Sequence, residues 1–281
     1  MKNLLKNLII LCLVMGTLGC SPSFTYNNLG WLSGFWIDDY VDLNSEQSDK
    51  FKQIVKTSRD WHRETQLPLY KKDLESLKAM LDVDVNQQQL KKHFLQAKQH
   101  WQTLVEKLEP DLINLANSLS IEQRTEFVAA IQASIDDEYE EYQKKTPAEH
   151  KKKRLEEELE NYKEWLGTLS NEQKELIETA TNDRIETSLL WLEYKQTRLD
   201  ALKKLFTAES KPEDFDQALA VIINNRSLYM SEALIKADDE NLDNYVKLLV
   251  ALKATLTAKQ RRNIDEEFDE LIEEVSDLID D

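Results

Sequence analysis

Residues 90–115, LKKHFLQAKQHWQTLVEKLEPDLINL, decide the fold. Leu90, Phe94, Ala97, Trp101, Leu104, Leu108, Leu112 and Leu115 recur at steps of three and four, which gathers them on one face of an α-helix. Pro110 interrupts the stripe and predicts a kink or a restart there, because proline lacks the amide the helix needs. The rhythm returns in Val128, Ile131, Ile135, Tyr139 and Tyr142, then in Leu155, Leu159, Tyr162 and Leu166, and onward to Ile264, Phe268, Leu271, Val275 and Leu278. No comparable period-2 alternation occurs, and beyond residue 20 the only glycines are Gly30, Gly34 and Gly167. That composition suits long helices joined by short turns and leaves few sites for tight hairpins. The expected fold is all-α, an elongated multi-helix bundle. Ser170–Ala208 contains neither Gly nor Pro and predicts one unbroken helix, about 55 Å long at 1.5 Å per residue.

The N-terminus reads as a lipoprotein signal peptide. Lys2 and Lys6 precede an apolar run from Leu4 to Val14, and Gly16-Thr17-Leu18-Gly19-Cys20 follows with small residues at the cut. The run is too short for a span of about 20 residues, and Cys20 stands where a diacylglycerol would be attached. Residues 1–19 form the predicted signal peptide, 20–42 a lipid-anchored tether with an aromatic strap, and 43–281 a helical domain with a candidate hinge at 144–147. Ser21 fits sorting to the outer membrane, where the chain would face the periplasm. Removing residues 1–19 takes away two lysines and no acid, so the net charge of -17 becomes -19 over 262 residues. Such acidity argues against nucleic acid and against broad adhesion to anionic headgroups, and points to protein partners or cationic ligands. Cys12 leaves with the signal and Cys20 would carry lipid, so no thiol remains for a disulfide.

Four phrases open helices: Leu43-Asn44-Ser45-Glu46-Gln47, Leu119-Ser120-Ile121-Glu122-Gln123, Leu169-Ser170-Asn171-Glu172-Gln173 and Leu256-Thr257-Ala258-Lys259-Gln260. In each, the cap residue (Asn44, Ser120, Ser170 or Thr257) accepts from the amide three residues on, while Gln47, Gln123, Gln173 or Gln260 reaches back to the cap amide. The intervals of 76, 50 and 87 residues exclude a regular repeat array. Capping alone accounts for the phrases. They also resemble the L-T-x-x-Q motif of CpxP-like periplasmic chaperones and stress-response proteins.

A broader resemblance runs through Cys20, Tyr26-Asn27-Asn28-Leu29-Gly30-Trp31-Leu32, Asp38-Asp39-Tyr40-Val41-Asp42-Leu43, Trp61-His62-Arg63 with Leu67-Pro68-Leu69-Tyr70, and Tyr162–Gln173. These blocks resemble a family of Gram-negative lipoproteins classed as a domain of unknown function. The resemblance implies an envelope lipoprotein and supplies no reaction.

Two segments are candidate partner-binding surfaces. Tyr26, Asn27, Asn28, Trp31, Trp36, Asp38, Asp39 and Tyr40 lie in the aromatic strap, which either packs across the bundle, as Asp38 and Asp39 favour, or rests on lipid headgroups. Lys151, Lys152, Lys153 and Arg154 form the basic cluster of an acidic chain, although Glu156, Glu157 and Glu158 are spaced to pair with Lys152, Lys153 and Arg154 along one helix face.

Nothing spells out a reaction. There is no G-x-S-x-G elbow, phosphate loop, dinucleotide fingerprint or H-E-x-x-H, and His93 and His100 lack a third ligand at metal spacing. No catalytic residue, metal or cofactor is expected beyond the lipid on Cys20. The expected role is a non-enzymatic interaction or scaffold lipoprotein with an envelope protein partner; the alternative is a chaperone-like binder of unfolded periplasmic proteins.

Overall fold

The computed structural model describes residues 22–281, and these form an all-α bundle of twelve α-helices with no strand among them. In chain order they are α1 (Pro22–Asn27), α2 (Leu29–Asp38), α3 (Ser45–Thr65), α4 (Leu67–Ala79), α5 (Gln87–Ser118) and α6 (Ile121–Gln143). After them come α7 (Pro147–Leu166), α8 (Asn171–Asp183), α9 (Ser188–Phe206), α10 (Phe215–Asn224), a 3₁₀ turn (Arg226–Tyr229), α11 (Glu232–Ala254) and α12 (Ala258–Asp280). Cys20 and Ser21 lie outside the described residues.

Two cores form. The first joins Ile113 and Ala116 of α5, Val128 and Ile135 of α6, Leu192, Leu199 and Phe206 of α9, and Phe215, Leu219 and Ile222 of α10. The second joins Leu166, Leu169, Ile177, Leu248, Leu252, Ile264 and Phe268 from the α7–α8 and α11–α12 hairpins, with Leu74, Leu77 and Leu81 from α4 and the residues after it packed onto it. Because α4 packs on α12 and α5 packs on α11, the halves of the chain are interleaved. The helix α5, 32 residues and so about 48 Å long, runs past both cores.

The restart expected at Pro110 does not occur, and one helix expected to be continuous is broken. α5 runs through Pro110 without restarting. The lost amide and ring clash are borne by packing on both sides, with Leu90 and His93 buried before the proline and Ile113, Leu115 and Ala116 after it. The segment expected to be one helix over Ser170–Ala208 breaks at residues 184–187 with no Gly or Pro present. The breaker comes from α11: the Asn241 side chain accepts from Ile185 N at 2.9 Å and donates to Ile185 O at 3.0 Å, replacing the helical partners of both groups. Glu186 then accepts from Ser188 N at 2.8 Å and starts α9.

All four glutamine phrases form capping boxes. They also pair across space. Gln47 Nε2 donates to Gln123 Oε1 at 3.0 Å and Gln123 Nε2 donates to Gln47 Oε1 at 2.7 Å. Gln173 and Gln260 exchange the same bonds at 3.0 and 2.8 Å. Each amide further donates to the carbonyl two residues before its partner's cap: Gln47 to Ser118, Gln123 to Asp42, Gln173 to Thr255 and Gln260 to Thr168. The same local two-fold arrangement is thus built twice, and each copy ties together two helix starts and the two turns that precede them.

The candidate hinge is a short turn between α6 and α7. Thr146 and Glu149 form a capping box there, and His150 stacks on Tyr142 at 4.4 Å while its Nε2 lies 2.8 Å from Tyr142 O.

Candidate functional site

The strap residues divide into inward and outward sets. Tyr26 and Asn27 of α1 turn inward as fasteners. Tyr26 Oη lies 2.9 Å from His62 Nδ1 and 3.2 Å from Arg59 O, and His62 Nε2 lies 3.3 Å from Tyr70 Oη. Arg59 donates to Asn27 O, Arg63 donates to Asn27 Oδ1, and Asn27 Nδ2 donates to Asp281 at 3.1 Å. Burial lowers His62 from 6.5 to about 4, with His100 adding repulsion, and burial pushes the Tyr26 hydroxyl up to about 12. Asn28 donates its side-chain amide to Phe24 O at 2.7 Å and holds the α1–α2 corner.

On α2 the small residues and the rings take opposite sides. Ser33 is buried, and a Cβ on Gly30 or Gly34 would sit 3.7 or 3.6 Å from Lys52 of α3, so this side lies close against α3. The rings on the other side face out: Trp31 is 60% exposed, Phe35 58% and Trp36 43%. Trp31 meets Phe35 edge to face at 4.9 Å. These three rings do not fill grooves of the bundle, which corrects the favoured reading of the strap. Asp38 and Asp39 are exposed at the end of α2, and Tyr40 turns back to contact Phe127 at 6.2 Å.

Beside Tyr40 opens a cavity of about 1120 Å³. Its long walls are α6 and α9, which run antiparallel: Phe127 meets Phe206 at 6.0 Å, Gln132 and Gln196 exchange amide bonds at 2.9 and 3.0 Å, and Glu138 pairs with Lys195. At one end Ile37, Val41, Leu43, Phe51, Phe127 and Phe206 make an apolar pocket. At the other end Tyr142, Lys145, His150, Lys153, Ser188 and Lys195 supply the polar groups. Between them stands Tyr194, 3% exposed, whose buried hydroxyl has no hydrogen-bond partner.

The basic cluster is split by the fold. Lys153 lies on the cavity rim and pairs with Glu157 at 3.3 Å, while Lys152 pairs with Glu156 at 3.8 Å and Lys151 is exposed. Arg154 does not take the expected Glu158; it pairs with Glu186, and Arg184 takes Glu158 at 3.5 Å. The sequence reading missed the cavity, whose lining residues each look like ordinary core or surface.

No helix among the described residues is long and apolar enough to cross a membrane. No curated protein and no solved structure gives a match. A family model for a family of unknown function, DUF6279, matches residues 39–234, a span that takes in the Trp61–Arg63 and Tyr162–Gln173 blocks, the first three glutamine phrases and most of the cavity. With well over half of its length matched, this helical chain belongs to the DUF6279 family.

Proposed function

We propose that the protein is a non-catalytic lipoprotein of the bacterial envelope, held on the periplasmic side of the outer membrane by acylated Cys20, and that it presents its acidic bundle to an envelope protein partner. The observation that supports this reading best is the outward ring face of α2. Trp31, Phe35 and Trp36 follow Cys20 within sixteen residues; the two indoles, each with a polar N–H edge, are at home in the headgroup layer, and Phe35 adds apolar area beside them. With the small side of α2 laid on α3, seating those rings in a bilayer would fix the orientation of the bundle as well as its location.

The test is Cys20→Ser in cells. Lipid labelling should vanish and the protein should move to the soluble periplasmic fraction. Crosslinking of the wild-type protein in intact cells should recover one or two partners in stoichiometric amount. Persistent label in the variant defeats the anchor, and capture of many unrelated unfolded clients favours the second reading, a chaperone-like binder. The cavity beside Tyr40 is what speaks for that alternative, since an exposed apolar segment of a client could enter it.

A further inference from the structure

We propose that the cavity between α6 and α9 binds one single-chain anionic amphipath: an acyl chain in the apolar end, with a carboxylate or phosphate at the rim formed by Lys145, His150 and Lys153. Ligand pockets run to about 300–1,000 Å³, so a space of about 1120 Å³ has room for a ligand, and its polarity is graded along its length. A ligand with one greasy end and one charged end matches that gradient. A uniformly apolar ligand would strand the groups of the polar end, and a uniformly polar one would leave the apolar end wet.

The charge of the lining favours an anion. The charged side chains lining the cavity are Asp137, Glu138 and Glu141 against Lys145, Lys153, Lys195 and Arg198, a basic excess in a chain of net charge -17. Glu138 is neutralised by Lys195 and Glu141 by Lys144, while Arg198 is occupied by the Ile222 and Ile223 carbonyls at 2.9 and 3.3 Å. Asp137 offsets part of this charge, but Lys145, which makes no ion pair among the described residues, and Lys153, whose Glu157 contact is an exposed one, remain at the rim for an anion.

This inference goes beyond the proposed anchoring and draws on it only for where the ligand would come from: Ile37, at the end of α2, borders the apolar mouth. Binding is therefore tested on the full chain carrying Cys20→Ser, where loss of anchoring cannot be mistaken for loss of the site. Palmitate, palmitoyl-lysophosphatidylglycerol and uncharged monopalmitoylglycerol are titrated below their micelle concentrations, with calorimetry as the readout. Saturable one-to-one binding of the charged ligands, at least tenfold tighter than the uncharged one, is expected. The tighter of palmitate and the lysophospholipid identifies a free acid or a membrane lipid as the source. Lys145→Ala with Lys153→Ala, both on the surface, should remove most of that tenfold preference. Equal binding of charged and uncharged ligands, no binding of either anion, or binding of an apolar peptide alone would overturn the proposal.

Discussion

Gln173 and Gln260 lie 87 positions apart and share a closed ring of amide bonds at 3.0 and 2.8 Å, in a site where Gln173 is fully buried and Gln260 is 5% exposed. Each side chain makes four bonds at once. Its oxygen accepts from its own cap amide and from its partner, and its nitrogen donates to the partner and to the turn before the partner's helix. Removing one amide strands the other in a dry environment. Gln173→Ala is expected to cost about 2–3 kcal/mol, cap loss included, and Gln173→Ala with Gln260→Ala less than the sum of the two single changes. Urea unfolding of the four members of this cycle measures the coupling. The Gln47–Gln123 pair, which is less enclosed, should couple more weakly.

Gly167 closes α7 at φ 72°, a conformation that side chains resist, and a Cβ there would meet Asn263 Nδ2 at 2.8 Å. That amide donates to Leu166 O at 3.2 Å and so cannot withdraw freely. Gly167→Ala should therefore destabilise the protein by about 1–2 kcal/mol through backbone strain, with the contact adding to it. Adding Asn263→Ala should recover only the part due to the contact; full recovery in a thermal melt would show that the backbone is unstrained.

His62 links pH to the attachment of α1. In the unfolded chain the ring takes a proton near its ordinary 6.5, whereas in the folded chain burial postpones this to about 4. The unfolded state thus binds more protons between these values, and stability falls as pH drops from 6.5 towards 4. His62→Gln should flatten this part of the stability profile relative to wild type while leaving the carboxylate-driven loss at lower pH. Melting temperatures at pH 7.5, 5.5 and 4.5 provide the comparison, and an unchanged slope would remove His62 from the account.

The rings of α2 can be replaced at little structural expense because they are exposed. Trp31→Ser, Phe35→Ser and Trp36→Ser together should leave the melting temperature of the Cys20→Ser chain nearly unchanged. They should reduce its flotation with phosphatidylethanolamine–phosphatidylglycerol vesicles at least tenfold. A large fall in melting temperature would instead mean that the rings pack on the bundle.

What sequence could reveal followed from periodicity and local caps. The four glutamine boxes appear in the structure at the expected positions, whereas the α5 stripe holds only in part: Leu90 and Leu115 are buried, Trp101 is 42% exposed, and His93, Ile113 and Ala116 are buried in addition. Two further boxes, Asn86 with Gln89 and Thr146 with Glu149, have the same chemistry but lack the preceding leucine by which the four phrases were recognised. The break at Ile185 was invisible because its cause, Asn241, is 56 residues away in sequence. Glutamine pairing was hidden for the same reason: a capping box specifies how a helix begins and carries no word about which other helix begins beside it. The candidate cavity was least legible, since Tyr194 and Trp191 read as core aromatics until α6 is placed opposite them. Exposure of the α2 rings was likewise undecidable from spacing, because the small residues Gly30, Ser33 and Gly34 that claim the inner side are not hydrophobic.

The tie from Asn27 to Asp281 bridges 254 positions. Its consequence is temporal. Ser23 and Asn27, just beyond the stretch where a lipid would be joined, find their carboxylate only after the ribosome has delivered the far end of the chain, and the α4 leucines likewise wait for α12 to cover them. A chain already captured at its front end by a bilayer would therefore mature from the back, and any premature stop within α12 would leave both the second core and the seating of α1 unfinished.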